Sequence, residues 1–252
     1  MLLAEKIERS LVAFGMFALC GSFSAPALAQ ASGATLSGSV TTLGQKYAPP
    51  FPRDGAKKIK ETEGFVIWEV TWEKGKSTGL HELDLDQVSV ILTEGAVRAS
   101  RPDGTWSIEQ KRFGSVRLES KGTVISEEGV SDEPSRAIVF QLKDSVPPKR
   151  PMTEGVPGQF PRLGAVKLFE TERITVWDYT WKVGVLGTRH LHYNQSAAVF
   201  LEGGVIRSIS EGEPPRSFSR QAGDVISLPP LNAAHQEEAM EGSPRAIFIE
   251  FK

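Results

Sequence analysis

The chain repeats itself. Shifted by 109 positions, Phe51-Pro52-Arg53 falls on Phe160-Pro161-Arg162, Glu61-Thr62-Glu63 on Glu170-Thr171-Glu172, and Trp68, Thr71 and Trp72 on Trp177, Thr180 and Trp181. The same shift carries Gly75 onto Gly184, His81 onto His190, Gly95 onto Gly204, Arg98 onto Arg207, and Arg136-Ala137-Ile138 onto Arg245-Ala246-Ile247. Segments 51–143 and 160–252 share 25 identities over 93 gapless positions, where chance at ordinary composition gives roughly 6%. Two copies of one domain therefore occupy most of the chain, and whatever the fold is, each copy must close by itself.

Each copy reads as strands. Ile174–Trp181 alternates after Val176, placing Trp177, Tyr179 and Trp181 on one face and Asp178 and Thr180 on the other, and Val66–Trp72 behaves alike. Gln195–Leu201, Asp224–Leu228 and Ala246–Phe251 are further β-rich runs, with turns expected at Glu202-Gly203-Gly204, Glu211–Pro215 and Glu241–Pro244. No segment after the N-terminal apolar stretch has helical periodicity. Many short strands at about ten-residue spacing predict an all-β chain of two sandwiches or barrels, residues 51–143 and 160–252. The sixteen residues between them, 144–159, hold four prolines and read as a linker. Residues 30–50 are a Gly/Ser/Thr-rich lead-in that orders only if it docks.

Leu11–Phe23 is too short to span a bilayer, which takes about 20 apolar residues. It lies between charged residues and Ala27-Leu28-Ala29, an A-x-A cleavage site. Residues 1–29 thus read as a bacterial Sec-type signal peptide cut after Ala29, which places the mature protein in the periplasm or outside the cell, with no membrane partner after cleavage. The single cysteine, Cys20, would leave with it. Disulfides, thiolate catalysis and zinc–thiolate sites are then excluded. With 29 Lys+Arg against 31 Asp+Glu the chain has no basic footprint for nucleic acid.

Three of the four histidines lie in the second copy. His190 and His192 are two apart on an expected strand, so both rings point to one face, where one metal could accept both. His235 follows a Pro229-Pro230 turn and would come from a neighbouring strand. Imidazoles from separate strands suit Fe, Zn, Cu, Ni and Mn alike.

At these residues the sequence resembles the cupin superfamily, and its repeat resembles a bicupin. The family's first motif, G-x5-H-x-H-x(3,4)-E-x6-G, is met by Gly184, His190, His192 and Gly204. Its second, G-x5-P-x-G-x2-H-x3-N, is met by Gly223, Pro229 and His235. The resemblance implies two tandem double-stranded β-helix (jelly-roll) barrels and a divalent metal on His190, His192 and His235. The motif's glutamate falls on Ala197, and His235 sits one residue later than the motif places it. What is implied is a three-His site, similar to those of the thiol and diketone dioxygenases. Removing 109 from the ligand positions leaves His81, Leu83 and Ser126, so the first barrel is expected to hold no metal.

Tyr193, Gln195 and Arg189 flank the ligand strand without counterparts in the first copy, which makes Tyr193 and Gln195 substrate-side, catalytic candidates. Glu237, beside His235, is a candidate general base or orienting carboxylate, as is Glu238. The duplicated tryptophans read as core. The duplicated arginines Arg53/Arg162, Arg98/Arg207 and Arg136/Arg245 read as barrel-edge ion pairs. The metal is expected to be Fe, Zn or Cu, with Zn or Cu favoured for a protein that folds after export. The functional expectation is a dioxygenase-like or lyase metalloenzyme acting on a small organic molecule. The alternative is a non-catalytic periplasmic small-molecule-binding or metal-binding accessory protein. A homodimer stays open.

Overall fold

The alternating runs around the paired tryptophans become the central strands of the molecule. The computed structural model describes residues 47–145 and 147–252; the expected signal peptide and the lead-in up to residue 46 lie outside the described residues. Residues 51–143 contribute β1 (Ala56–Glu61), β2 (Phe65–Trp72), β3 (His81–Glu82), β4 (Asp86–Thr93), β5 (Gly95–Ser100), β6 (Trp106–Lys111), β7 (Val116–Glu119), β8 (Val124–Gly129) and β9 (Ser135–Leu142). Residues 160–252 contribute β10 (Ala165–Glu170), β11 (Ile174–Thr180), β12 (Ser196–Ser210), β13 (Arg216–Arg220), β14 (Val225–Leu228) and β15 (His235–Phe251). No helix occurs among the described residues.

All strand pairs are antiparallel. In the first barrel a five-stranded sheet, β1-β2-β9-β4-β7, packs on a four-stranded one, β3-β8-β5-β6. Phe51, Trp68, Val70, Trp72, Ile91, Val97, Ala137 and Val139 fill the space between them. The second barrel is one folded sheet, β10-β11-β15-β12-β13, with β14 added to β12. Its interior holds Phe160, Trp177, Tyr179, Trp181, Phe200, Ile206 and Phe248.

The turns expected at Glu202–Gly204 and Glu241–Pro244 do not interrupt the ladder. β12 and β15 pair from Ser196↔Glu250 to Ser210↔His235, with register shifts around Phe200–Ile206. Such bulges bend a strand without ending it. Gly204 makes the bend feasible. It sits at φ +154, and a Cβ there would lie 2.3 Å from the Glu241 carbonyl oxygen.

β2 and β11 are buried on both faces. Their Trp faces look into their own barrels. Their other faces, Phe65 and Ile67 with Ile174 and Val176, meet Val88, Val90, Phe140, Leu142, Val199, Ile247, Ile249 and Phe251 in one core shared by both barrels. Phe65 is at its centre, 6.0 Å from Phe140 and 4.8 Å from Phe251 between ring centroids.

The linker expected over 144–159 docks through Arg150, Pro157 and Gln159. Arg150 N–H donates to the Tyr193 carbonyl at 2.8 Å, Leu191 N–H to the Pro157 carbonyl at 3.0 Å, and Ser196 Oγ to Gln159 Oε1 at 3.1 Å. The physical reason is that the backbone edge of 190–193 needs partners, and the incoming chain supplies them. Ala48 bridges His81 in the same parallel sense as Gly158 bridges Leu191.

Phe65→Ala should cost about 3–5 kcal/mol in chemical denaturation, because it empties a fully buried aromatic site. Since the core is common to both barrels, unfolding should remain a single transition. A loss below about 1 kcal/mol would contradict a shared core, being typical of surface substitutions.

Candidate metal centre

His190, His192 and His235 converge. One ligand nitrogen from each lies within 4.8 Å of the others, and the ring centroids are 4.4, 4.9 and 5.3 Å apart. The residue exposures are 1%, 2% and 5%. The segment holding His190 and His192 is extended, as expected, but it is not a regular strand. It is anchored by isolated bridges, Gly158 to Leu191 and His190 to His235. In the latter the two backbones exchange reciprocal hydrogen bonds at 2.9 and 3.0 Å. The two rings of the H-x-H stretch consequently lie side by side, 9° from parallel.

The donor set fits a metal. His190 Nδ1 lies 2.9 Å from the Thr188 carbonyl oxygen, which can only accept, so that nitrogen carries the proton and Nε2 keeps its lone pair. His190 Nε2 and both nitrogens of His192 are buried and have no hydrogen-bond partner. Buried polar atoms are almost always paired, and a cation bound between the rings would satisfy His190 Nε2 and one of the two His192 nitrogens. Burial pushes His190 down to about 4 and His192 down to about 3, with His190 itself adding to the effect on His192. Both rings are therefore neutral at neutral pH, the form that ligates.

Glu237 completes the ring of charge. Its Oε2 accepts from Arg162 Nη1 at 2.9 Å and Trp181 Nε1 at 3.2 Å, and its Oε1 lies 3.8 Å from His235 Nε2. Burial works to raise this carboxyl, but His235 and the Arg162 guanidinium outweigh it and hold it well below the usual carboxylate range. Arg162 is caged by Tyr179 (3.7 Å from its Cζ to the ring centroid), Phe160 (5.0 Å) and Trp181 (5.4 Å). It is an interior residue, not the barrel-edge one its repetition suggested. Arg207 and Arg245 do pair at the periphery, with Glu238 and Asp178.

Two catalytic candidates lie elsewhere. Tyr193 has the opposite parity to His192, so its hydroxyl donates to the Val156 carbonyl at 2.8 Å and accepts from Thr153 N–H at 3.0 Å, pinning the docked linker. Gln195 faces Gly64 of the first barrel, with its Oε1 unpaired. Arg189 forms an exposed pair with Glu211. Ala197, where the motif's glutamate would fall, points into the shared core, and it is Ser196 that faces inward.

The first barrel closes the equivalent position differently. His81 pairs with Ile125, not Ser126, as His190 pairs with His235. Arg98↔Glu128 likewise corresponds to Arg207↔Glu238. The offset is 110 over this stretch, so the loop before His235 carries one extra residue, and the counterpart of Glu237 is Glu127 rather than Glu128. In the first barrel Arg53 reaches further than Arg162 does. Its Nη2 donates to Glu127 at 3.2 Å while Nη1 lies 3.4 Å from His81 Nε2. A guanidinium occupies the place a cation would take.

The centre opens into a cavity of about 620 Å³. His192, His235, Glu237 and Trp181 line it together with Phe218, Arg220, Ile226 and Leu228. The last four were missed by motif reading. The signal was present in the repeat, because Glu109, Lys111, Arg117 and Glu119 stand at their positions in the first copy.

His190 and His192 titrate near 6.5 when unfolded and near 4 and 3 when folded. The unfolded chain thus binds more protons across that window. Their contribution to the stability of metal-free protein is fully present above pH 6.5 and is lost as pH falls toward 3. Thermal midpoints measured in chelator should therefore drop on acidification. The H190Q/H192Q double variant should show a shallower drop, and an unchanged slope would contradict neutral buried imidazoles.

The sequence matches no protein-family model and no curated protein. Its fold does match solved structures, and the three that follow each match 78% of this chain. They include a cupin 2 conserved barrel domain protein from Leptotrichia buccalis (14% identity, 88% of that chain, TM-score 0.52) and protein Ylba from E. coli (12% identity, 82% of that chain, TM-score 0.54). Oxalate decarboxylase from Bacillus subtilis is similar at 14% identity over 72% of its chain, with TM-score 0.51. The all-β architecture, the inward-facing histidines and these likenesses agree, and the chain is built on the cupin fold.

Proposed function

We propose that the second barrel holds one divalent transition metal on His190, His192 and His235, and that this centre makes the protein a dioxygenase-like metalloenzyme acting on a small organic molecule. The observation that carries the reading is the set of orphaned, neutral imidazole nitrogens at the wall of a cavity large enough for a substrate. A bound metal would supply Lewis acidity toward a substrate oxygen or redox chemistry toward O2. The chain's own residues do the rest. The reciprocal His190–His235 backbone pair fixes the direction of two rings. The caged Arg162 holds Glu237 as a carboxylate beside His235, where it offsets the cation's charge and can orient a protonated group. Phe200, Ile226, Leu228 and Phe248 supply an apolar wall for the body of a substrate.

Three nitrogen donors with no protein carboxylate among them suit Zn or Cu as well as Fe. The N-terminal signal-peptide pattern supports acquisition of the metal after export, in the periplasm or outside the cell.

A second reading, a non-catalytic binding or accessory protein, is favoured by one observation: the motif's carboxylate position is Ala197 and faces away from the centre. The two separate on turnover. Metal-loaded protein should consume O2 or convert substrate under the enzyme reading, and do neither under the other.

Refolding with Zn, Cu or Fe(II) should give one metal per chain by elemental analysis. His190→Ala and His192→Ala should abolish it, and His81→Ala should leave it unchanged. At metal concentrations about 100 times Kd the folded state should gain about 2.7 kcal/mol. Glu237→Gln should weaken metal affinity about 10- to 100-fold, as removal of a supporting carboxylate does. Retention of metal by His190→Ala, or its loss in His81→Ala, would overturn the assignment.

A further inference from the structure

The cavity of the second barrel holds a cation from which the fold has removed the counter-ions. The strand pairings Val97↔Glu109 and Gln87↔Glu119 of the first barrel stand where Ile206↔Phe218 and Ser196↔Leu228 stand in the second, and Gly95↔Lys111 where Gly204↔Arg220 stands. In the first barrel these positions form a filled, neutralised network. Lys111 Nζ lies 3.2 Å from Glu109 and 3.9 Å from Glu127, and Arg117 Nε lies 3.4 Å from Glu119. In the second, Glu109 is replaced by Phe218, Arg117 by Ile226 and Glu119 by Leu228, while the cation persists as Arg220.

Glu127's counterpart, Glu237, is already held by Arg162. Glu213, the other carboxylate lining the cavity, pairs with Arg216 at 3.1 Å. Arg220 thus has no ion-pair partner among the described residues. Its guanidinium lies over Phe200 and Phe218 at 5.6 and 5.3 Å, and its one weak hydrogen bond is to the adjacent Ser219 carbonyl at 3.5 Å. Lys60 of β1 lines the same cavity, also without an ion pair among the described residues.

We propose that this cavity takes an organic acid with an apolar body, the carboxylate on Arg220 and the body against Ile206, Phe218, Ile226 and Leu228. A half-buried guanidinium in an apolar wall has five fixed donors that match a carboxylate in bidentate geometry, and among the described residues only the weak contact to the Ser219 carbonyl engages them. A single anionic head next to apolar walls is the complement of that surface. His192 and His235 line the same space, so an acid anchored on Arg220 presents its body to the metal centre. The inference rests on the metal-site reading for what happens to the acid, but not for its binding.

The test measures binding to the full chain by calorimetry, using a panel of phenylalkanoic and alkanoic acids, each paired with its primary amide. Metal content is determined on the same samples. Acids should bind and their amides should bind at least about tenfold more weakly, the usual worth of a charge-assisted contact. Arg220→Gln should erase that ratio by weakening the acids alone, and Arg220→Lys should restore part of it. Phe218→Glu, which returns the internal counter-ion of the first barrel, should abolish acid binding without unfolding the chain. Equal affinity for acid and amide, a ratio unchanged in Arg220→Gln, or no saturable binding of any acid would overturn the proposal. Acid preference in protein that retains no metal would uphold it and sink the metal reading. One bound metal with no acid preference would do the reverse.

Discussion

Strand β11 is buried on both faces, and most of the molecule depends on that constraint. A strand with two apolar faces needs a partner on each side. One face, Ile174 and Val176, finds its partner in the first barrel and makes the shared core. The other carries Trp177, Tyr179 and Trp181 into the second barrel, where two of these rings wall in the Arg162 guanidinium. That buried cation would be costly if unpaired. Its partner is Glu237, and Glu237 lies against His235. Packing, electrostatics and the candidate metal centre thus form one chain of dependence running from the inter-barrel core to the imidazoles.

The two barrels answer the same electrostatic problem in different ways. Each has a buried histidine, an arginine entering after a Phe-Pro step, and a glutamate on the facing strand. In the first, the arginine bridges the glutamate and the histidine, and further lysine, arginine and glutamate side chains pair with one another beside them. In the second, two more histidines replace Leu83 and Ile125, the arginine stops at the glutamate, and apolar side chains replace several of those charges. The interior becomes hollow. In the first barrel the charges at these positions are already paired with one another. The second, with orphaned nitrogens at one wall and an unpaired guanidinium at another, can use a cation and a ligand.

Much of this was legible in the sequence because it is written in alternation and spacing. Period-two runs around the paired tryptophans gave β2 and β11, and His190-x-His192 gave two rings on one face. What escaped depended on register. A gapless offset hid the extra residue in the loop before His235, so Ser126 stood in for Ile125 and Glu128 for Glu127. Tyr193 and Gln195 were attractive because they differ between copies, yet parity turns Tyr193 outward to the docked linker, and Gln195 faces the first barrel. Sequence proximity to a ligand does not reveal the face. The glycine-marked bends in β12 and β15 read as turns because a bulge and a turn use the same residue types. The cavity's apolar lining was in the sequence all along, as the exchange of Glu109, Arg117 and Glu119 for Phe218, Ile226 and Leu228. It has meaning only once those residues are known to face inward.

The central claim is that the second barrel is a metal site and the first is its filled counterpart. Anomalous diffraction at the absorption edge of the metal retained by the purified protein tests it most directly. The account predicts one anomalous peak per chain, within coordination distance of His190, His192 and His235, and none beside His81. A peak in the first barrel, or none in the second when elemental analysis finds metal in the crystals, would contradict it.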